Sequence, residues 1–134
     1  MTEPLHPDGW AAPRGYAHGM SAPAGGLIVV TAGQIGWDPV TGRFTTEDFA
    51  EQATQALRNV VAVLGAGGAR PEHLVRLTWF ILDADDYTRS RATLGAAYRE
   101  IIGRHYPAMS VVVVKALLEP QAKVEIEAMA VVPR

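Results

Sequence analysis

The sequence predicts an α+β fold in which two helices cover one face of a mixed β-sheet. Two stretches with helical spacing of apolar residues alternate with stretches typical of strands, in the order β-β-α-β-α-β-β. The 134 residues, 49% of them hydrophobic, suit one domain over residues 1–134. Residues 111–114 are all valine, which is typical of a strand buried on both faces. Because two helices leave one face of the sheet open, we expect other copies of the chain to cover it in a closed homo-oligomer.

The first third of the chain predicts an irregular arm followed by two strands. Residues 1–15 contain three prolines and two glycines and predict the arm. Residues 16–21 predict a short first strand, and residues 27–33, rich in β-branched side chains, predict a stronger second one. Residues 36–42 have the composition of a loop.

A long amphipathic helix is predicted next. Thr45 or Thr46 is the expected N-cap, and apolar residues then recur at helical spacing as far as Leu64. The glycines within residues 65–68 follow this helix instead of preceding one, so they predict a C-cap and not a phosphate-binding loop.

The second half of the chain predicts a strand, a helix and a C-terminal hairpin. Residues 74–82 predict the third strand and residues 87–103 the second helix, which Pro107 separates from the next strand. The hairpin combines the valine run with residues 123–132. Period-two alternation in this last strand predicts Glu125 and Glu127 on the same face, opposite Ile126.

The composition argues against several classes of function. A net charge of −2 and a pI near 6.0 do not favour nucleic-acid or membrane-surface binding. The chain has no cysteine, and its four histidines show no ligand spacing, so neither a disulfide nor a metal site is predicted. The N-terminus lacks the features of a signal peptide, which makes a cytoplasmic protein the expectation.

Several short motifs, spread over nearly the whole chain, resemble the RidA (YjgF) family of small enamine/imine deaminases. Their order and spacing together carry the resemblance. The motifs are Gly15-Tyr16, Thr31-Ala32-Gly33-Gln34, Gln55-Ala56-Leu57-Arg58-Asn59, the segment beginning Arg76-Leu77-Thr78-Trp79-Phe80, Tyr106-Pro107-Ala108-Met109-Ser110, and Lys123-Val124-Glu125-Ile126-Glu127.

The resemblance implies a chorismate-mutase-like fold and a homotrimer with three small-molecule pockets between subunits. It also implies hydrolysis of reactive enamines and imines, such as 2-aminoacrylate, to a carbonyl compound and ammonia without a cofactor. On this basis Glu125 positions the attacking water, while Tyr16 and backbone groups near Gly33 line the site. The alternatives are that Glu125 is a solvated surface residue and that Tyr16 only packs against its neighbours.

Two positions depart from the family pattern. Met109 replaces an arginine that clamps the substrate carboxylate, and Ala32 replaces a small hydroxyl residue. Methionine cannot pair with a carboxylate, so the pocket is expected to prefer a neutral, bulky or ring-derived substrate. Trp37 and Trp79 strengthen that expectation. Arg91 stands where the family often has a pocket-facing asparagine and could replace the lost charge, although a surface role is the alternative.

Three functions follow from these observations. The leading prediction is an enamine/imine deaminase, supported by Tyr16, Gly33 and Glu125. The second is a catalytically inactive binding or regulatory protein, supported by Met109 and Ala32. The third, ribonuclease activity or translation inhibition, is disfavoured by the net negative charge and by the expectation that no surface combines arginine or lysine with aromatic residues. His18 is predicted on the same face of the first strand as Tyr16 and is a candidate local acid or base. A single histidine of this kind more often has a structural role.

Overall fold

The computed structural model describes all 134 residues. The strands are β1 (Glu3–Leu5), β2 (Gly19–Ser21), β3 (Leu27–Val30), β4 (Gln34–Ile35), β5 (Leu74–Ile81), β6 (Ala108–Val113) and β7 (Val124–Val132). The helices are α1 (Phe49–Ala66), α2 (Ala84–Arg89) and α3 (Arg91–Ile101), with a 3₁₀ turn at Pro71–His73. The main sheet has the order β3-β7-β5-β6, and β4 also pairs with β7. Since β5 and β6 are parallel and the other pairs antiparallel, the sheet is mixed and the predicted α+β class is confirmed. None of the helices is both long and apolar enough to cross a membrane.

One face of the sheet packs against the helices and forms the core. Val124, Ile126 and Ala128 alternate along β7 and are buried, together with Leu77 and Trp79 of the neighbouring strand β5. Glu125 and Glu127 point to the opposite face, as their register partners Phe80 and Thr78 do. The predicted alternation of the last strand is therefore confirmed.

The opposite face of the sheet carries exposed apolar side chains beside Glu125 and Glu127, and no other part of the chain covers it. Ile28 is 64% exposed, Val30 61% and Val112 40%, and all three lie on this open face. The valine run is thus not buried on both faces by its own chain. An apolar surface of this kind marks an interaction site, and the homo-oligomer stays a prediction supported by it.

Helix α1 begins three residues later than a cap at Thr45 would require. The N-cap is Asp48, whose Oδ2 accepts a hydrogen bond of 2.9 Å from the Glu51 backbone N–H. Thr46 instead accepts from the Asp48 N–H at 3.0 Å, so the predicted threonine cap is wrong. A carboxylate accepts this bond more strongly than a hydroxyl, which favours Asp48. The C-cap prediction is confirmed: Gly68 takes φ +81° directly after the helix.

The second predicted helix is interrupted. It begins earlier than expected, at Ala84, where the Asp83 side chain accepts from the Asp85 N–H at 2.9 Å, and it divides at Ser90 into α2 and α3. Ser90 has φ −100° and ψ 6°, outside the helical range, and its N–H bonds to the Tyr87 carbonyl in a tightened turn. The apolar spacing continues across this break, which is why periodicity alone predicts one helix.

The N-terminal arm is more regular than predicted. Residues Glu3–Leu5 pair with Gly19–Ser21 as a two-stranded sheet, which leaves only residues 19–21 of the predicted first strand in strand conformation. Pro4 argues against a strand when only the sequence is considered. Proline is nevertheless tolerated in an edge strand, and β1 is one. The second strand is also shorter than predicted and ends at Val30, where the chain bulges.

Candidate functional site

Glu125 lies on the open face of the sheet beside a bulge in the neighbouring chain segment. Val30 pairs with Met129 and Gln34 with Ile126, so residues 31–33 oppose only two residues of β7. Thr31 fastens the bulge: its N–H donates to the Ala128 carbonyl at 2.9 Å, and its Oγ1 accepts from the Ala128 N–H at 3.0 Å.

The bulge brings Gly33 directly onto the Glu125 side chain. A Cβ at position 33 would overlap the Glu125 carboxylate and lie 2.6 Å from its Cδ. Only glycine leaves room for the carboxylate in this position. Ala32 precedes it as an exposed residue whose carbonyl accepts from the Gln34 side-chain amide at 3.3 Å. The structure therefore brings Ala32, Gly33 and Glu125 together on the open face.

Tyr16, Arg91 and Met109 line a different region, a cavity of about 770 Å³ beside the edge strand β6. Its walls come from the arm, from α2 and α3, and from β5 and β6. This volume is within the range of small-molecule pockets in proteins. Tyr16 reaches the cavity because the arm is pinned to β6, where the Ala17 N–H donates to the Pro107 carbonyl at 2.9 Å.

The two groups of predicted site residues lie on opposite faces of the sheet. Met109 pairs in register with Leu77, which faces the helices, whereas Glu125 pairs with Phe80, which faces away from them. A single chain therefore does not bring Glu125 and Met109 into one pocket. A site that uses both residues has to be assembled from two copies of the chain.

The cavity interior contains tyrosines that stay protonated at neutral pH. Burial, assisted by the neighbouring Tyr106, raises the pKa of Tyr98 far above its ordinary value, and the Tyr98 hydroxyl donates to the His105 carbonyl at 2.6 Å. Burial also raises the pKa of Tyr87, although the positive charge of Arg91 opposes the shift. Tyr98 stacks on Tyr106 with ring centroids 5.2 Å apart. Tyr87 and Tyr98 thus present neutral aromatic surface to a ligand.

Sequence reasoning missed two arginines of this cavity, Arg14 and Arg99. A signal for Arg99 is present in the sequence, because Arg91, Gly95 and Arg99 follow one another at intervals of four residues on one helix face. The expectation that no surface combines arginine with aromatic residues is consequently wrong.

Two other residues noted in the sequence, His18 and Trp37, pack against aromatic neighbours outside the cavity. His18 lies outside the cavity and contacts His6, Trp10 and Tyr16, with its ring centroid 5.4 Å from that of Tyr16. Trp37 packs on Phe44 at 6.0 Å and does not line the cavity, whereas Trp79 does.

Amide side chains of α1 join this helix to neighbouring segments. Asn59 donates to the carbonyls of Ile35 and Trp37 at 3.0 and 3.1 Å and accepts from the Gln55 side chain. Gln52, fully buried, accepts from the Lys123 N–H at 2.8 Å and so connects α1 to the start of β7. These bonds satisfy polar groups in the interior and position the strand that carries Glu125.

Comparisons with known proteins identify the family and the fold. A model of the family described as endoribonuclease L-PSP matches residues 10–132. A 2-iminobutanoate/2-iminopropanoate deaminase from Salmonella typhimurium is 41% identical over 109 residues, 79% of this chain and 80% of that protein. The Rid-family protein YyfB from Yersinia pestis superposes with a TM-score of 0.83 at 29% identity, over 98% of each chain. The YjgF gene product from E. coli gives a TM-score of 0.66 at 36% identity over 87% of each chain. The chain therefore belongs to the RidA (YjgF) family of small α+β proteins.

Proposed function

We propose that the protein is an enamine/imine deaminase whose site is completed between two copies of the chain. The observation that carries this proposal is the Glu125 carboxylate, held against Gly33 at a bulge on the open, apolar face of the sheet. A carboxylate in this position can accept a proton from a water molecule and direct that water onto a C=N carbon. The relative named as a 2-iminobutanoate/2-iminopropanoate deaminase supports the same class of reaction.

The proposed reaction adds water across the C=N bond and then releases ammonia. Glu125 takes a proton from the water as the water oxygen bonds to the imine carbon, and this proton passes to the nitrogen, which gives a tetrahedral carbinolamine. Glu125 then transfers the hydroxyl proton to the same nitrogen, the C–N bond breaks, and ammonia leaves as the carbonyl forms. Tyr16, at the cavity wall, is proposed to hydrogen-bond the substrate.

The proposed substrate is bulkier than 2-aminoacrylate, derived from a ring, and neutral where it contacts Met109. Met109 is half-buried against the core and offers a soft apolar surface in place of a cation. A carboxylate placed there would lose its hydration without gaining a partner. The aromatic walls formed by Trp79, Tyr98 and Tyr106 suit a flat ligand instead.

A homotrimer supplies the partner surface that this site requires. In the proposed arrangement the open face of one chain, with Glu125, Gly33 and Ala32, faces the cavity of the next, with Tyr16, Arg91 and Met109. Three equivalent sites follow from the symmetry of such a ring.

The test is ammonia release from freshly generated imines. The panel includes 2-aminoacrylate and cyclic enamines, and each rate is compared with the uncatalysed rate. We expect acceleration with cyclic enamines, little with 2-aminoacrylate, and loss of the acceleration in Glu125→Gln. Equal turnover by Glu125→Gln would reject the proposed role of the carboxylate.

The alternative is a binding or regulatory protein without catalysis. Met109 and Ala32, which replace polar residues of the family pattern, favour it. It would be supported if calorimetry detects binding of ring compounds while no imine of the panel reacts faster than background.

A further inference from the structure

Three cationic side chains line the cavity. Arg14, Arg91 and Arg99 all line it, and no aspartate or glutamate does. The ion pairs of the chain join Arg70 to Glu72 and Arg89 to Asp86, so none of the three cavity arginines is paired with a carboxylate. Three cations at one concave site, in a chain whose net charge is −2, raise the local concentration of anions there.

Helix α3 leaves room between its two arginines. Arg91, Gly95 and Arg99 are one helical turn apart in succession and all line the cavity. A Cβ at Gly95 would meet only the Arg99 guanidinium, at 3.3 Å, which shows that this guanidinium reaches back over the glycine towards Arg91. The absence of a side chain at position 95 thus leaves space in which the Arg99 guanidinium lies over the helix, and Arg14 lines the same cavity from the arm.

Aromatic side chains form much of the remaining cavity lining. Trp79 and Tyr87 meet edge to face with centroids 5.7 Å apart, and Tyr98 stacks on Tyr106. A ring on a ligand can therefore pack against aromatic surface in this cavity.

From these contacts we infer that the cavity binds a ring compound with a carboxylate, and that Arg14, Arg91 and Arg99 bind this carboxylate. Guanidinium groups bind carboxylates through paired, parallel hydrogen bonds, which makes arginine the appropriate cation for a planar anion. The inference rests on the proposed function only where it narrows the choice of substrate. The imine would then carry a carboxylate that these arginines bind, while the group that contacts Met109 is neutral.

Binding of a matched charged and neutral pair tests the inference directly. Phenylacetate and phenylacetamide have the same ring and nearly the same size, and titration calorimetry at low ionic strength measures both on the intact protein. We expect phenylacetate to bind at least about tenfold more tightly, and the preference to shrink as salt is added. Arg91→Gln and Arg99→Gln should each reduce the preference by about two- to fivefold, because exposed ion pairs are individually weak.

The control is Arg58→Gln, which removes an exposed helical arginine of α1 that does not line the cavity. It should leave the preference unchanged. Equal affinities for the two compounds, or an equal loss in the Arg58 variant, would overturn the inference. Tighter binding of a single-stranded RNA ten-mer, with the same arginine dependence, would overturn it in favour of a nucleic-acid site.

Carboxylate binding by the cavity arginines (the anion site) and deaminase activity can be tested separately. If neutral cyclic enamines are turned over and phenylacetate shows no preference, the carboxylate site is wrong and the deaminase stands. If phenylacetate is preferred through Arg91 and Arg99 but no imine reacts, the anion site stands and the deaminase is wrong.

Discussion

The contact between Gly33 and Glu125 makes Gly33→Ala a sharp perturbation of the proposed site. An added Cβ would lie 2.6 Å from the Glu125 Cδ, whereas ordinary contact begins at 3.4 Å, so the carboxyl carbon has to withdraw by about 0.8 Å. A misplacement of about 1 Å at a reacting group typically costs about 10²-fold in rate. We therefore expect kcat/KM for an accepted cyclic enamine to fall about a hundredfold.

The same substitution should cost little stability, because the Glu125 side chain is only half-buried and can rotate. Overpacking costs about 1–3 kcal/mol in general, and we expect the lower end of that range in urea unfolding. In a Glu125→Ala background the overlap no longer exists, so Gly33→Ala should then cause almost no further loss. This double-mutant comparison isolates the contact.

Gly65→Ala is the matched control, because a Cβ there meets no atom within 4 Å and the residue lies within α1. It should leave turnover unchanged and raise the unfolding free energy by about 0.5–1 kcal/mol through helix propensity. Undiminished turnover in Gly33→Ala, or the same destabilisation with and without the Glu125 side chain, would refute this account of the bulge.

Further predictions concern the clamp position, the buried tyrosine and the helix cap. Met109→Arg should raise turnover of 2-aminoacrylate about tenfold or more, and Met109→Leu should not. Because the pKa of Tyr98 is raised in the folded state, the unfolded chain loses its proton first, and this group's contribution to stability is lost as pH rises above about 10. Tyr98→Phe should lower the unfolding free energy by about 1 kcal/mol at pH 7 and flatten its alkaline decline. Asp48→Ala should cost about 1 kcal/mol, and Thr45→Ala almost nothing, in urea unfolding.

The elements of the main sheet could be predicted because their signals are local. The alternation around Glu125 and the helical spacing up to Leu64 are readable from neighbouring residues, and both elements are confirmed. The strand Glu3–Leu5 depends instead on a partner fourteen or more residues away, and its proline argues against it. The division of the second helix at Ser90 leaves the apolar spacing intact, so the sequence carries no visible sign of it.

The site was harder to predict than the fold. Alternation assigns Glu125 a face within its own strand, but only the pairing register shows that Met109 lies on the opposite face of the sheet. The cationic lining of the cavity combines Arg14 of the arm with Arg99 of α3, and this combination depends on the tertiary fold. The chemical identity of Met109, by contrast, could be used directly, because its lack of charge does not depend on the fold.

Mixed oligomers test most directly whether a deaminase site is assembled between chains. Glu125→Gln disables the open-face half, and Gly95→Trp fills the cavity half where a glycine now leaves space. Each variant alone should release little ammonia from a cyclic enamine. The two variants are then refolded together in equal amounts. In a ring of shared sites, an intact carboxylate meets an intact cavity at about one quarter of the sites. Ammonia release should therefore recover to about one quarter of the wild-type rate. A mixture no more active than its two components would contradict the shared site.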